Sequence, residues 1–425
     1  MKKRWTAFLA LLPLAVLVQN ANASDDALAT RGEYLARAGD CVACHSTAGG
    51  KPFAGGLKMS TPVGAIYSTN ITPDNATGIG EYSYDDFARA LREGVAKDGR
   101  NLYPAMPYTS FVKISDEDMR ALYAYFMQRV KPVNQQNRDS DIPWPLNMRW
   151  PLAAWNWLFA SSEAFTPDPT LSAQQNRGAY LVQGLGHCGT CHTPRGMGFQ
   201  EKALDQRDSA YLTGGTLEGW HAPNLTGNAR EGLGRWSAAE IAQFLKTGQT
   251  AHAAAFGSMT DVVSDSTQHL SDEDVQAIAA YLKTLKPSDP QSTAPADNSD
   301  TTAALIRGDV SKPGAQVYMD NCAACHRTDG KGYASTFPAL AHNSAVLSDD
   351  PSSLISLVLK GGKAPVTQQA ITGLAMPDFG WRLDDKQVAD VLTFIRSGWG
   401  NNAVAVTPDE VKALRQNIST VERKE

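Results

Sequence analysis

Cys-x-x-Cys-His occurs three times in this chain, at Cys41-Val42-Ala43-Cys44-His45, Cys188-Gly189-Thr190-Cys191-His192 and Cys322-Ala323-Ala324-Cys325-His326, and the three copies use all six cysteines. No cysteine is left over for a disulfide or a nucleophile. A single Cys-x-x-Cys suits a redox pair or half of a zinc site. A structural zinc site needs four ligands, so two copies could serve one ion, but the third would be stranded and the histidine after each pair unexplained. The pattern that accounts for every copy is c-type haem attachment. The cysteines Cys41, Cys44, Cys188, Cys191, Cys322 and Cys325 form thioethers to three covalent haems, and His45, His192 and His326 become axial iron ligands.

The start of the chain fits that chemistry. Lys2, Lys3 and Arg4 precede an apolar run from Ala7 to Val18, and Ala21-Asn22-Ala23 has the small residues of a cleavage site, which predicts a signal peptide over 1–23. Twelve apolar residues are short against the roughly 20 that cross a bilayer. Export to the periplasm is expected, with the mature protein soluble or peripheral. Removing the leader's three cations takes the formal charge from −5 to −8, which argues against nucleic-acid binding.

At about 150 residues per domain, 425 residues suggest three domains, one for each motif. Internal repetition supports this. Short helical segments lead into each motif: Arg31-Gly32-Glu33-Tyr34-Leu35, Arg177-Gly178-Ala179-Tyr180-Leu181 and Gly314-Ala315-Gln316-Val317-Tyr318. Closing helices begin at Ser115-Asp116-Glu117-Asp118, Ser271-Asp272-Glu273-Asp274 and Leu383-Asp384-Asp385, with acids in the first turn and apolar residues three and four apart thereafter. The glycine of each opening segment would allow its helix to cross the closing one closely. A further helix lies between, over Asp85–Leu91, Ser237–Leu245 and Ser352–Leu359, each stopped by a glycine, Gly94, Gly248 or Gly361. Strand signals are few. The expected fold is all-α, three tandem class I cytochrome c-like domains over 24–135, 172–288 and 309–400, with loop-rich connections.

The connections differ in kind. The segment 289–308 is polar and aperiodic, a solvated tether or surface strap. The charged tail over 401–425 offers no strong anchor. The segment 136–171 holds Trp144, Trp150, Trp155 and Trp157 among the chain's nine tryptophans. It would pack between the first two domains or touch a membrane or partner. Arg149 and its prolines argue against a spanning helix.

A haem that carries electrons usually has a second axial ligand, and methionine in that place raises the reduction potential. Met106, Met259 and Met376 follow His45, His192 and His326 by 61, 67 and 50 residues, each shortly before a closing helix. Met119 and Met127 lie within helical patterns and read as core. Met259 has no adjoining proline, and His252 and His269 are rivals for that iron. His187, His221 and His342 have no repeated counterpart. The stretches Ile66–Pro73 and Ala222–Thr226 echo each other, and their Asn and Thr could bond haem propionates and backbone, or simply form turns.

Several runs extend beyond the haem motifs: Gly39-Asp40-Cys41-Val42-Ala43-Cys44-His45-Ser46, Asn70-Ile71-Thr72-Pro73-Asp74, His192-Thr193-Pro194-Arg195-Gly196 and Leu374-Ala375-Met376-Pro377-Asp378-Phe379-Gly380-Trp381. In these runs, and in the order of its three units, the chain resembles the three-haem cytochrome c subunits of bacterial membrane-bound alcohol, gluconate, fructose or sorbitol dehydrogenases. The resemblance implies an electron-transfer subunit without a substrate site of its own. Its partners would be a flavin- or quinone-dependent catalytic subunit, a small third subunit in some complexes, and ubiquinone, at the periplasmic face of the inner membrane with peripheral attachment. Two other readings stay open. A free periplasmic shuttle would serve an oxidase or reductase. A multihaem peroxidase would need an iron with an open position, against which three candidate methionines argue.

Overall fold

The computed structural model describes residues 14–61, 63–217, 219–334 and 336–422. The positive head of the leader and the start of its apolar run lie outside them. Leu14–Ala38 forms one helix that includes the expected cleavage site.

Each unit is built on a crossing of its opening and closing helices. The opening helices are Leu14–Ala38, Ala173–Gln183 and Ala315–Asn321, and the closing helices are Asp116–Gln128, Asp272–Leu282 and Asp385–Ser397. Start signals are satisfied as the sequence suggests. The Ser115, Ser271 and Asp384 side chains accept from the backbone N–H groups of Asp118, Asp274 and Gln387, the first-turn donors left without helical partners. The glycine at each crossing is required by contact. A Cβ at Gly32 would stand 1.9 Å from the Ala121 carbonyl oxygen, one at Gly178 1.9 Å from that of Ala277, and one at Gly314 2.1 Å from that of Asp390. The intermediate helices are Tyr84–Glu93, Ala238–Thr247 and Ser352–Lys360, and Gly94 and Gly248 end the first two in the left-handed region. Among the described residues, strand is confined to arms of two to four residues, Lys58–Thr61 with Gly64–Tyr67, Gly215–Leu217 with Trp220–Ala222, and Gly362–Lys363 with Ala375–Met376, all antiparallel.

The first two units share one hydrophobic core, and the third has its own. The contact between the first two is reciprocal. Tyr34, on the first opening helix, donates to Asp274 at 2.6 Å and accepts from the Ser271 N–H. Tyr180, on the second, donates to Asp118 at 2.6 Å and accepts from the Ser115 N–H. Each tyrosine therefore completes the helix start of the other unit. The same carboxylates take Arg31 and Arg177 from their own units, at 2.8 and 2.7 Å. Lys113 and Asp205, both buried, add a cross-unit ion pair at 3.3 Å.

The third unit docks on the second through polar groups. His221 exchanges backbone bonds with the Ser353 hydroxyl and lies 3.4 Å from Asp350, while Arg230 pairs with Asp349 at 3.0 Å.

Three connections contain helices that the sequence did not suggest. The polar stretch 289–308 contains a helix, Asp300–Ile306, with Thr301 and Leu305 buried. The charged tail folds back as Pro408–Glu422, with Val411 fully buried and Leu414 and Ile418 packed on the third core. The tryptophan-rich segment includes a helix, Pro151–Phe159, that buries no residue. Among the described residues no helix is long and apolar enough to cross a membrane.

Candidate haem sites

The three Cys-x-x-Cys-His motifs adopt the same local form. Single helical turns over Cys41–Cys44, Gly189–His192 and Ala323–His326 come soon after the opening helices. Cys41 and Cys188 pack against the shared core and Cys322 against the third. Burial pushes all three thiols up to about 12, so the unreacted sulfurs would be neutral thiols in apolar clefts.

The histidines decide whether these clefts suit a haem. His45 Nδ1 lies 2.6 Å from the Thr69 carbonyl oxygen, His192 Nδ1 2.7 Å from that of Pro223, and His326 Nδ1 2.9 Å from that of Pro338. A carbonyl only accepts, so Nδ1 is the protonated nitrogen in each ring. Nε2 is left with its lone pair and makes no hydrogen bond among the described residues. Burial depresses all three imidazoles, His192 to about 4, which keeps the rings neutral. A neutral imidazole, oriented through Nδ1 and offering Nε2, is the form that ligates a metal. The residues fit a covalently attached haem at each motif.

The echoed loops explain the carbonyls. Asn70 follows Thr69, and its side chain accepts from the Thr72 N–H at 2.9 Å and donates to the Val133 carbonyl at 2.7 Å. Asn224 follows Pro223, accepts from the Thr226 N–H at 2.8 Å and donates to Ser288 at 2.7 Å. Both asparagines are buried. These bonds fix the turn that aims the preceding carbonyl at the histidine; the backbone role stands, and the turn is its means.

The three methionines lie in three different local structures. Met106 sits in a turn closed by its N–H on Tyr103 O at 3.1 Å, and packs on the shared core. Met376 lies on the short strand Ala375–Met376 and packs on the third core. Met259 lies on a helical turn, Ser258–Asp261, rather than in a loop. Its rival is engaged elsewhere: His252 Nε2 is 3.1 Å from Glu240 and the ring lies over Trp236 at 5.3 Å. His269 lies on the 3₁₀ turn Thr267–His269 just before the closing helix. The histidines without a repeated counterpart serve contacts. His187 Nε2 is 3.4 Å from Gly39 O, His221 faces Asp350, and His342 Nε2 is 3.0 Å from Trp399 O.

Sequence reasoning missed Glu201. It follows the second motif in an extended loop, and the Thr190 hydroxyl, inside that motif, donates to it at 3.3 Å. Burial pushes its carboxyl up to about 7 against the opposing charge of Arg195. An acid nine residues past the haem histidine carries no signature by itself.

The cytochrome c family model matches residues 29–129, 175–286 and 311–399, one stretch around each motif. The chain belongs to the cytochrome c family. This cytochrome is 56% identical to the gluconate 2-dehydrogenase cytochrome c subunit of Pantoea cypripedii, over 98% of its own length and 96% of the relative. It is 48% identical to the cytochrome c subunit of the quinone alcohol dehydrogenase of Gluconobacter oxydans, covering 98% and 88%. It is 39% identical to the fructose dehydrogenase cytochrome subunit of Gluconobacter japonicus, covering 91% and 82%. Family membership and the cysteine pairs establish covalent haem c as the cofactor, and the helical, loop-rich architecture is that of tandem class I cytochrome c domains.

Proposed function

We propose that this cytochrome is the electron-transfer subunit of a dehydrogenase complex, carrying one haem c in each of three units and passing electrons from a catalytic subunit to ubiquinone. The observation that carries this reading is the thrice-repeated histidine geometry, Nδ1 on a backbone carbonyl and Nε2 available, together with similarity to three dehydrogenase cytochrome subunits along nearly the whole chain. Haem, when bound, supplies one-electron redox chemistry. The residues that would hold it are Cys41, Cys44, Cys188, Cys191, Cys322 and Cys325, through thioethers, and His45, His192 and His326, through the free ring nitrogen. Met106, Met259 and Met376 are the residues that would supply a thioether to each iron, a ligand that favours high potentials. The engagement of His252 with Glu240 supports Met259 in the middle unit. A haem held by both histidine and methionine would offer no open position to substrate, and the oxidised substrate would belong to the partner.

The mature chain begins at Ser24 and works at the periplasmic face of the inner membrane. The catalytic subunit acts on an alcohol, sugar or sugar acid through a flavin or quinone group.

The test is purification of the tagged chain from solubilised membranes of its host. A dehydrogenase subunit should co-purify, its substrate should reduce the haem bands, and a short-chain ubiquinone should reoxidise them. A chain that washes from membranes and purifies alone, with haems that no co-purified dehydrogenase reduces, would contradict the proposal and favour a free shuttle.

A further inference from the structure

The tryptophan-rich strap is turned inside out. From Pro143 to Ser162 its single charged residue is Arg149, and that guanidinium points inward, 3.6 Å above the Tyr103 ring and donating to Asn101 O at 3.0 Å. In the helix Pro151–Phe159 the polar residue also faces inward. Asn156 accepts from the Tyr108 hydroxyl at 2.6 Å and donates to Glu93 O at 3.2 Å. The outward face is Pro151, Ala153, Ala154, Trp157 and Leu158. Trp144, Trp150 and Trp157 are 79, 71 and 83% exposed. Trp155, the partly covered indole, donates to Gly198 O at 2.7 Å, and on either side of that glycine Met197 and Phe199 are exposed and extend the same apolar surface. A helix in water turns its polar residues outward. This one is pinned by hydrogen bonds in the opposite sense, so the apolar face is built into the fold.

We propose that this strap is a bilayer-contact surface that seats the protein on the membrane. The inference rests on the reading above, in which the electron acceptor is a membrane quinone. Three features favour lipid over a protein partner. Indoles concentrate at the membrane–water boundary. A protein interface carries about one hydrogen bond per 100–200 Å² and a polar rim, whereas this face offers little beyond indole N–H groups and Asn147. Among the described residues no helix is long and apolar enough to cross a bilayer, and an exposed apolar face with indoles is the other kind of element that contacts one. The Asn156–Tyr108 bond ties the strap to the Met106 turn, so lipid contact brings the first unit to the membrane.

The experiment floats the mature, haem-loaded full chain with phosphatidylcholine vesicles through a density gradient, reading Soret absorbance in the vesicle layer. The native chain should float at low and high salt. The variant Trp144→Gln/Trp150→Gln/Trp157→Gln should partition roughly tenfold or more less strongly, from the lost apolar area, with haem content and visible spectrum unchanged. Because three exposed positions change at once, the single variant Trp157→Gln provides a milder second measurement, expected to fall in between. A native chain that stays with the lipid-free protein, a triple variant that floats equally well, or flotation that needs anionic lipid and vanishes in salt would each overturn the proposal. Absence of flotation together with variant-sensitive retention of the dehydrogenase subunit would also overturn it, assigning the strap to a protein partner. Failure of the electron-transfer reading would show separately, as missing haem or haems that no substrate reduces, whatever the chain does with vesicles.

Discussion

At the scale of single residues, the chemistry turns on which atoms are committed. Carbonyls claim Nδ1 of His45, His192 and His326, and the remaining nitrogen of each ring is what a haem iron would take. Replacing Met106 or Met376 with leucine should remove the methionine–iron charge-transfer absorption of one haem and lower its potential, read by visible spectroscopy and redox titration; an unchanged spectrum in either variant would refute that ligand. Glu201 gives a pH dependence with a definite sign. Its carboxyl, raised by burial to about 7, gains a negative charge as pH climbs through that value. A nearby anion favours the more positive, ferric state, so the potential of the middle haem should fall as pH rises through about 7. Glu201→Gln should flatten that segment of the titration in a potentiometric measurement from pH 6 to 8. The haem motifs were legible because ligand chemistry demands fixed residue types at recurring places, and the same recurrence singles out the methionines as candidates. Glu201 was not, because its unusual character comes from burial in a loop that only the second unit extends.

At the scale of elements, helix starts could be read from the sequence because a cap is a local device: Ser115, Ser271 and Asp384 stand where the acid-rich first turns require them. The crossing glycines were legible too, since each stands eight to ten residues before its motif. Gly178→Ala should cost about 3 kcal/mol, because the new methyl meets the Ala277 carbonyl, which cannot move without distorting the closing helix. Thermal or chemical denaturation of the haem-loaded chain would measure it, and a loss within experimental error would show that the two helices can part freely. Composition concealed other elements. The helix Pro408–Glu422 is rich in polar residues, and among the described residues Val411, Leu414 and Ile418 pack on the core, so it reads as a charged tail. The helix Pro151–Phe159 was hidden by its prolines and by a polarity opposite to that of a water-facing helix.

At the scale of the molecule, repetition predicted three units but not how they join. Tyr34 and Tyr180 sit in matched positions and could each have served their own unit. They instead cap each other's closing helices, a choice that depends on which surfaces meet after folding. The first two units are thereby fused through a common core, while the third is held through serine, aspartate, arginine and histidine groups. In the proposed complex, a two-electron oxidation at the partner would have to leave as single electrons, and a fused pair of carriers followed or preceded by a third would suit that task. All of this depends on the number of attached haems. The most direct measurement is the intact mass of the exported chain, made in a host that matures c-type cytochromes, combined with a reductive titration. The account predicts a mass exceeding the mature polypeptide by three haems and the uptake of three electrons per chain. A colourless protein of bare polypeptide mass, or a chain that holds fewer haems and fewer electrons, would contradict it.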